Sequence, residues 1–218
     1  MKLNLNSNTF IENKAINGGA LYIKDNTDIS KNYNDFNITI NNNSFNKNEV
    51  EDFGGAIFIF MEFDDKYNIQ FENNTLLLNT AGIMGGGLYS HNLNLNTLFQ
   101  KNIFVNNTVN SYINNYTSRP YYITIDTNFT NNKKSIITGE YLPLKFSLYD
   151  EYDNIIFDIT KYYSSLILKA TLNINDNNND DDDYDEDDDD DDDVSKKYHL
   201  IGNIGSFSNG ILYNIYFY

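Results

Sequence analysis

The 218-residue sequence has no cysteine, no tryptophan, two prolines and a single arginine, Arg119. Without cysteine the chain can form neither a disulfide framework nor a thiolate metal site. One arginine and a formal net charge of -16 argue against phosphate recognition, so we predict no nucleic-acid partner. The sequence also lacks the roughly 20-residue apolar run that a membrane-spanning helix needs, and its first residues show no signal-peptide pattern. We therefore predict no membrane span within this chain.

Asparagine and acidic residues are the types present in excess. The chain has 39 asparagines, and 14 of its 31 acidic residues lie between Asp176 and Asp193. The remaining 17 acidic residues face 15 Lys and Arg residues, so the rest of the chain is almost neutral. Such a run of like charges cannot fold, and we predict a disordered acidic loop at 175–197. It is either a low-complexity expansion or a loose calcium-binding segment. An EF-hand is excluded, because the run lacks a turn glycine and spaced ligands.

Two short motifs recur in register through the first half of the sequence. The first, N-x-[FL]-x-x-N, begins at Asn8, Asn43, Asn74 and Asn102. The second, G-G-[AG]-[LI], begins at Gly18, Gly54 and Gly85. The asparagine motifs start 35, 31 and 28 residues apart, which indicates one structural unit per repeat with loops of variable length. Segments that alternate apolar and polar residues precede them, as expected of half-buried strands, at 3–5, 36–40, 69–71 and 95–98.

Each repeat is therefore predicted to contain three short strands and no helix, stacked into a parallel β-helix. Equivalent side chains should then form interior ladders, one of Phe10, Phe45, Leu76 and Phe104 and one of Leu21, Ile57 and Leu88. The glycine pairs are predicted to supply positive φ angles at a tight corner. The repeated asparagines are predicted to stack their amides and to bond the turn backbone.

The paired F-x-x-N and G-G-A-[IL] motifs resemble the repeats of chlamydial polymorphic outer membrane proteins. They also resemble the right-handed β-helix, pectin-lyase-like regions of large surface proteins in eukaryotic microbes. The resemblance covers about residues 1–110. Because that fold hosts lyases, hydrolases, adhesins and plain scaffolds, the resemblance implies a fold and leaves the activity open.

The repeat signature ends at Asn107, and residues 108–118 are predicted to be irregular. Six strands are predicted beyond Arg119-Pro120, at 121–126, 144–149, 155–157, 166–174, 198–204 and 211–217. Short strands separated by turns such as Asn209-Gly210 are typical of a β-sandwich. Residues 139–154 resemble the early strands of immunoglobulin-like repeats. The predicted fold class is all-β, with a right-handed parallel β-helix of about four coils at 1–116 and an immunoglobulin-like β-sandwich at 117–218.

Residues suited to catalysis are sparse on the predicted coils. The outward strand positions are neutral: Asn4, Asn37, Thr39, Gln70 and Asn96. His91 is predicted to be a lone surface residue, His199 has no visible partner, and Glu12 with Lys47 is predicted to form a surface ion pair. We predict no catalytic, cofactor-binding or metal-ligating residues. Folding could still bring together Glu51, Asp52 and Glu62.

These features predict a non-enzymatic structural or adhesion segment of a large extracellular or cell-surface repeat protein. Its expected partners are cell-surface glycans or proteins, together with further coils or domains of a longer parent protein. The alternative is a polysaccharide-binding or polysaccharide-degrading protein of the pectin-lyase-like class. Binding would need an exposed aromatic row along one sheet, and degradation would need a carboxylate cluster on one coil face.

Two further expectations concern processing and chain ends. Six N-x-[ST] sequons are candidate N-glycosylation sites: Asn37, Asn42, Asn73, Asn106, Asn115 and Asn128. Because Met1 opens inside a repeat, we expect the chain to be a fragment. Its open first coil should make it poorly soluble or oligomeric.

Overall fold

The repeated motifs fold into short strands that return to the same sheets once in every repeat. The computed structural model describes residues 2–25, 36–61, 67–91, 101–126, 141–169, 204–207 and 210–216. Every regular element in these ranges is a strand, which confirms the all-β prediction for the described residues. Predicted features that lie wholly or partly outside them are the acidic loop at 175–197, the strands at 95–98, 166–174, 198–204 and 211–217, and the residues Glu62, Asn128, His199 and Asn209.

Four sheets of parallel strands contain the described part of the repeats. Sheet A holds β1 (Lys2–Asn6), β5 (Phe36–Asn41) and β9 (Tyr67–Glu72). Sheet B holds β2 (Thr9–Ile11), β6 (Ser44–Asn46), β10 (Thr75–Leu77) and β13 (Ile103–Val105). Sheet C holds the parallel strands β3 (Lys14–Ala15), β7 (Glu49–Val50), β11 (Thr80–Ala81) and β14 (Thr108–Val109), and a fifth strand at Tyr112–Ile113 pairs antiparallel with β14. Sheet D holds β4 (Leu21–Lys24), β8 (Ile57–Phe60), β12 (Leu88–His91) and β16 (Tyr116–Thr117).

One passage of the chain through sheets A to D is called a coil here. Coils 1 to 4 lie within residues 2–25, 36–61, 67–91 and 101–117, and the described part of coil 4 begins at sheet B. The prediction of three strands per coil was wrong, because the two-residue strands of sheet C are too short to show an alternating pattern. Residues 108–118 were also wrongly predicted to be irregular. They contain β14, β15 (Tyr112–Ile113) and β16. Strands β14 and β16 pair with coil 3, and β15 forms a hairpin with β14.

The predicted interior ladders are confirmed. Phe10, Phe45, Leu76 and Phe104 occupy one register position in sheet B, and Leu21, Ile57 and Leu88 occupy one in sheet D. The rings of Phe10 and Phe45 stack with centroids 5.0 Å apart and planes 4° from parallel. The interior of coils 2 and 3 is the best-buried part of the described protein, with Ile40, Phe45, Ile57, Ile59, Leu76 and Leu88 all fully buried.

The described strands beyond residue 118 are antiparallel. β17 (Pro120–Ile125), β18 (Tyr141–Asp150) and β21 (Ile211–Tyr216) form one sheet in that order, and β19 (Ile167–Lys169) pairs with β20 (Ile204–Ser206). The predicted strand at 155–157 was wrong, since Ile155 makes only an isolated bridge to Tyr149. The chain turns away at once because the Asp158 carboxylate accepts the backbone amides of Tyr162 and Tyr163. The division into domains at residue 116 stays a prediction.

Candidate functional site: the asparagine ladders and the capped end of the coils

Two ladders of asparagine side chains, whose motif residues are buried in coils 2 to 4 and exposed in coil 1, run along the coils, one at each end of sheet B. The first contains Asn8, Asn43, Asn74 and Asn102. The second contains Asn13, Asn48, Asn79, Asn107 and Asn115. The predicted stacking of amides at the corners is therefore confirmed, and it involves the first and last asparagine of each N-x-[FL]-x-x-N motif.

Asn79 shows how one rung of a ladder is satisfied. Its Nδ2 donates to Asn107 Oδ1 at 2.8 Å and to the Phe45 carbonyl oxygen at 3.0 Å. Its Oδ1 accepts the backbone N–H and the Nδ2–H of Asn48, both at 2.9 Å. The side chain is 0% exposed, and these four hydrogen bonds satisfy both of its donors and its acceptor oxygen. A network of this kind favours asparagine at the corner, because a side chain that left one of these buried groups without a hydrogen bond would lower the stability of the fold.

The residue before each of the first four rungs of the second ladder has a left-handed backbone conformation. Its φ is 55° at Glu12, 54° at Lys47, 55° at Leu78 and 50° at Asn106. This conformation costs an L-residue roughly 1–2 kcal/mol, and asparagine tolerates it better than leucine does. The sequence motif does not reveal this position, because four different residue types occupy it.

Leu78→Asn is therefore expected to raise the free energy of unfolding by about 0.5–1 kcal/mol. Leu78 is 42% exposed, so little apolar burial is lost in exchange. Chemical denaturation of both proteins measures the difference. Leu77→Asn is the matched control, since Leu77 shares its register position with Asn46 but has no positive φ. A destabilised Leu78→Asn variant would contradict the assignment of strain to this corner.

The predicted role of the glycine pairs is confirmed for the first glycine of each pair. The φ angle is 57° at Gly18, 69° at Gly54 and 68° at Gly85. The second glycine serves a different purpose, which the sequence analysis missed. A Cβ atom on Gly55 would lie 2.8 Å from the Thr80 backbone nitrogen and would overlap the Gly86 carbonyl oxygen. The next coil therefore approaches too closely for any side chain at that position.

A turn after β18 closes the end of the coil stack at coil 4. The Asp150 carboxylate is 0% exposed and accepts hydrogen bonds from both sides of the junction. Its Oδ2 accepts Thr117 Oγ1 at 2.8 Å, the Ser118 amide at 3.2 Å and Asn154 Nδ2 at 3.2 Å. Its Oδ1 accepts the amides of Tyr152 at 2.8 Å and Asn154 at 2.9 Å. These bonds join the last coil to the antiparallel half of the chain.

Tyr152, which this turn holds in place, covers the interior of coil 4. Its ring centroid lies 6.0 Å from that of Tyr116, which continues the Leu21–Ile57–Leu88 ladder. Its hydroxyl group makes a short hydrogen bond with Ser90 Oγ. Burial raises the pKa of Tyr152, so the phenol stays protonated at neutral pH. Tyr152 is thus a plug, and the sequence analysis did not identify it.

His91 was wrongly predicted to be a surface residue. It is 2% exposed, with Nδ1 2.7 Å from Glu151 Oε1 and its ring 5.1 Å from the Phe60 ring. Arg119 Nε lies 3.8 Å from the same Glu151 oxygen, so the single arginine also belongs to this junction. Glu151 is 60 residues beyond His91. No local pattern could therefore have indicated the contact.

An aromatic row crosses the outer face of sheet D. Tyr22, Phe58 and Tyr89 occupy one register position, with ring centroids 4.9 and 5.4 Å apart and planes 6° and 7° from parallel. The exposed fraction falls from 52% at Tyr22 to 6% at Tyr89, where the antiparallel half covers the row. Because the rings face one another, they show solvent mainly their edges. This geometry favours packing along the row over the stacking of sugar rings on open aromatic faces.

Three carboxylates on the described coil faces pair with a lysine of the neighbouring coil. The predicted Glu12–Lys47 pair is confirmed at 3.7 Å, and Lys14–Glu49 and Glu72–Lys101 pairs lie at 2.8 and 2.9 Å. Glu51 is exposed and Asp52 is partly buried, whereas Glu62 lies outside the described residues. In the part of the chain that the structure describes, no group of three or more His, Cys, Asp or Glu side chains is placed to hold a metal ion.

The candidate glycosylation sites differ in accessibility. Asn37, Asn42, Asn73 and Asn106 are exposed. Asn115 is partly buried and ends the second ladder, where its Oδ1 accepts the backbone amide and Nδ2 of Asn107. Glycosylation at these positions stays a prediction.

Comparison with known proteins finds a similarity to a much longer protein. A transmembrane domain-containing protein of Dictyostelium discoideum is 29% identical to this chain over 145 residues, which is 65% of the chain and 8% of that protein. The chain thus spans less than a tenth of the length of this relative. No protein-family model matches the chain, and no solved structure matches it. Within the described ranges, no helix has the length and apolar character needed to cross a bilayer.

Proposed function

We propose that this chain is a non-catalytic structural or adhesion segment of a large extracellular or cell-surface protein. Its architecture in this proposal is a right-handed parallel β-helix of about four coils, followed by an immunoglobulin-like β-sandwich. The observation that carries the proposal is the pair of asparagine ladders, which hydrogen-bond each coil to the next at equivalent positions and so suit a periodic scaffold. The similarity to a far longer protein whose name mentions a transmembrane domain supports a place within a membrane-associated parent protein.

The surface chemistry of the coils supports a scaffold more than an enzyme. On sheet A, the outward side chains Asn4, Asn37 and Gln70 are neutral. Glycoside hydrolysis needs two carboxylates roughly 5–10 Å apart across the scissile bond. On the described coil faces, Glu12, Glu49 and Glu72 each lie against a lysine instead. Exposed ion pairs of this kind contribute little to stability and suit a solvated surface.

Purified protein is accordingly expected to release no reducing or unsaturated ends from polygalacturonate, alginate and related polymers, with or without calcium. The reason is that the coil-face carboxylates Glu12, Glu49 and Glu72 each lie against a lysine and so are not placed as a catalytic pair. An assay of reducing ends and of absorbance from unsaturated products measures this directly. Activity that Glu12→Gln or Glu51→Gln abolishes would refute the non-catalytic proposal and favour the polysaccharide-degrading alternative.

The proposed location is tested in the source cells. An antibody raised against this chain is expected to stain intact cells, because adhesion segments face the medium. Treatment with an N-glycosidase should lower the apparent mass of the native protein, since four sequons are exposed. Detection of the protein only after permeabilisation, with no mass shift, would contradict an extracellular location.

Binding to polysaccharide without catalysis is the second candidate function, and Tyr22 is the residue that favours it. Tyr22 is 52% exposed at the end of the aromatic row, beside Lys24. The stacked geometry limits that surface to one ring, so the proposed scaffold role accounts better for the row as a whole.

A further inference from the structure

The two ends of the coil stack differ in how their interiors are covered. At coil 4, Tyr152 covers Tyr116, and the β14–β15 hairpin covers the end of sheet C. At coil 1, the interior side chains Leu5, Phe10, Leu21 and Ile23 are only partly buried. Their register partners in coil 2, Ile40, Phe45, Ile57 and Ile59, are all 0% exposed. Coil 2 has a described coil on each side and its interior is fully buried, whereas coil 1 has a described coil on one side and its interior is partly buried.

The asparagine ladders give this end a chemical polarity. For the motif asparagines of coils 2 to 4, Oδ1 accepts the backbone amide and Nδ2 of the asparagine in the preceding coil, as Asn43 Oδ1 does from Asn8 at 2.9 and 3.1 Å. Asn13 donates in the same way to Asn48 Oδ1 at 3.1 and 2.8 Å. Asn8 and Asn13 are exposed, and among the described residues no donor reaches their own Oδ1 atoms. Coil 1 thus presents two acceptor oxygens along the stacking direction.

The aromatic rings and strands of coil 1 also have described partners on one side only, that of coil 2. Phe10 and Tyr22 begin two stacks, and each described ring contact of theirs is with the ring of coil 2. Strands β1 to β4 pair only with coil 2 in the described sheets, so each has a second edge. Unpaired parallel edges are templates for further strands.

We propose that the coil 1 end is a docking surface for one additional coil that carries the same motif, N-x-[FL]-x-x-N. The backbone and side-chain amides of its two corner asparagines would donate to Asn8 Oδ1 and Asn13 Oδ1. Its apolar residue between them would stack on Phe10, and its strands would pair in parallel with β1 to β4. This inference rests on the β-helix architecture proposed above and adds the identity of the partner.

The polarity of the ladders argues against a second copy of this chain as the occupant. Two copies meeting at their coil 1 ends would place acceptor oxygens against acceptor oxygens. A copy meeting coil 1 through its own coil 4 would first have to lose the Tyr152 plug and the five hydrogen bonds to the Asp150 carboxylate. A motif-bearing coil from another stretch of polypeptide meets neither obstacle.

The experiment adds such a coil to the full chain. A copy of residues 36–66 is fused directly before Met1, which continues the register in which Lys2, Asn37 and Asn68 are equivalent. Hydrogen exchange of the amides in residues 9–15 is expected to slow at least about tenfold relative to the parent chain. The control fusion carries Asn43→Asp and Asn48→Asp in the added copy alone, and it should give no such protection.

Three outcomes would overturn the docking surface. The first is an unchanged exchange rate in residues 9–15 on fusion, and the second is equal protection by the aspartate control. The third is protection of those residues in the parent chain that grows with its concentration, which would make a second copy the occupant. Slow exchange in coils 2 and 3 of the parent checks the architecture independently. Its absence would refute the proposed β-helix, whereas its presence with no effect of fusion would refute the docking surface alone.

Discussion

Asn79→Asp is expected to lower the free energy of unfolding by about 4 kcal/mol or more. A loss of this size is a large fraction of the total stability of a typical domain. The substitution replaces Nδ2, which donates to Asn107 Oδ1 and to the Phe45 carbonyl, with a carboxylate oxygen. Two acceptors then face that oxygen at hydrogen-bond distance, and a charge is buried at a position that is 0% exposed. Neither the repulsion nor the desolvation can be relieved without opening the corner.

Thermal and chemical denaturation of the variant measure this effect. Asn106→Asp is the matched control, because Asn106 immediately precedes a rung of the same ladder but is exposed. That control should stay within about 0.5 kcal/mol of the parent chain, as surface substitutions usually do. Equal stability of the two variants would show that the ladder contributes little. Partial recovery of Asn79→Asp as the pH falls is also expected, since a protonated carboxyl group regains one donor.

Asp150→Asn is expected to lower the free energy of unfolding by about 3–5 kcal/mol. An asparagine keeps the shape of Asp150 but replaces one carboxylate oxygen with an NH₂ group. At Oδ1 that group would oppose the amides of Tyr152 and Asn154, and at Oδ2 it would oppose the Ser118 amide and Asn154 Nδ2. At least two donors therefore lose their acceptor in either orientation, and the turn that carries Tyr152 is no longer held.

Hydrogen exchange by mass spectrometry distinguishes this junction defect from general unfolding. In Asp150→Asn, peptides covering residues 88–91 and 116–118 should exchange faster than those of coil 2. Asp153→Asn is the control from the same turn, with φ of 59° and an oxygen that accepts the Tyr122 hydroxyl at 2.7 Å. That hydrogen bond raises the pKa of Tyr122 to about 12, and asparagine can still accept it. Equal loss of protection in both variants would contradict the role assigned to the Asp150 carboxylate.

The abundance of asparagine in the first half has a structural explanation at nine positions. In the interior of the ladders, as at Asn48, Asn74 and Asn79, the position needs a side chain that donates two hydrogen bonds and accepts two close to the backbone. Asparagine meets this need, whereas aspartate lacks the donors and glutamine is longer. The left-handed corner at Asn106 is a further position where asparagine is favoured.

The all-β class, the coil register and the interior ladders were determined by the sequence alone. They follow from contacts between equivalent positions of successive repeats, and a repeat displays those positions directly. Phe10 predicts its contact with Phe45 because both follow an asparagine by two residues, and the same logic predicts the stacked amides. The positive φ of Gly18, Gly54 and Gly85 was predictable because glycine is the residue that adopts it without strain.

Only the tertiary structure decided the cap, the junction and the two-residue strands of sheet C. Glu151 reaches His91 across 60 residues, and Asp150 reaches Thr117 across 33, with no repeat to align them. Strand β14 exists because Thr108 and Val109 meet Thr80 and Ala81 of the previous coil, not because of any pattern of its own. The cap and the junction depend on how the antiparallel half packs against the last coil. A linear sequence records periodic contacts between like positions, whereas contacts between unlike segments are determined only when both are folded and packed.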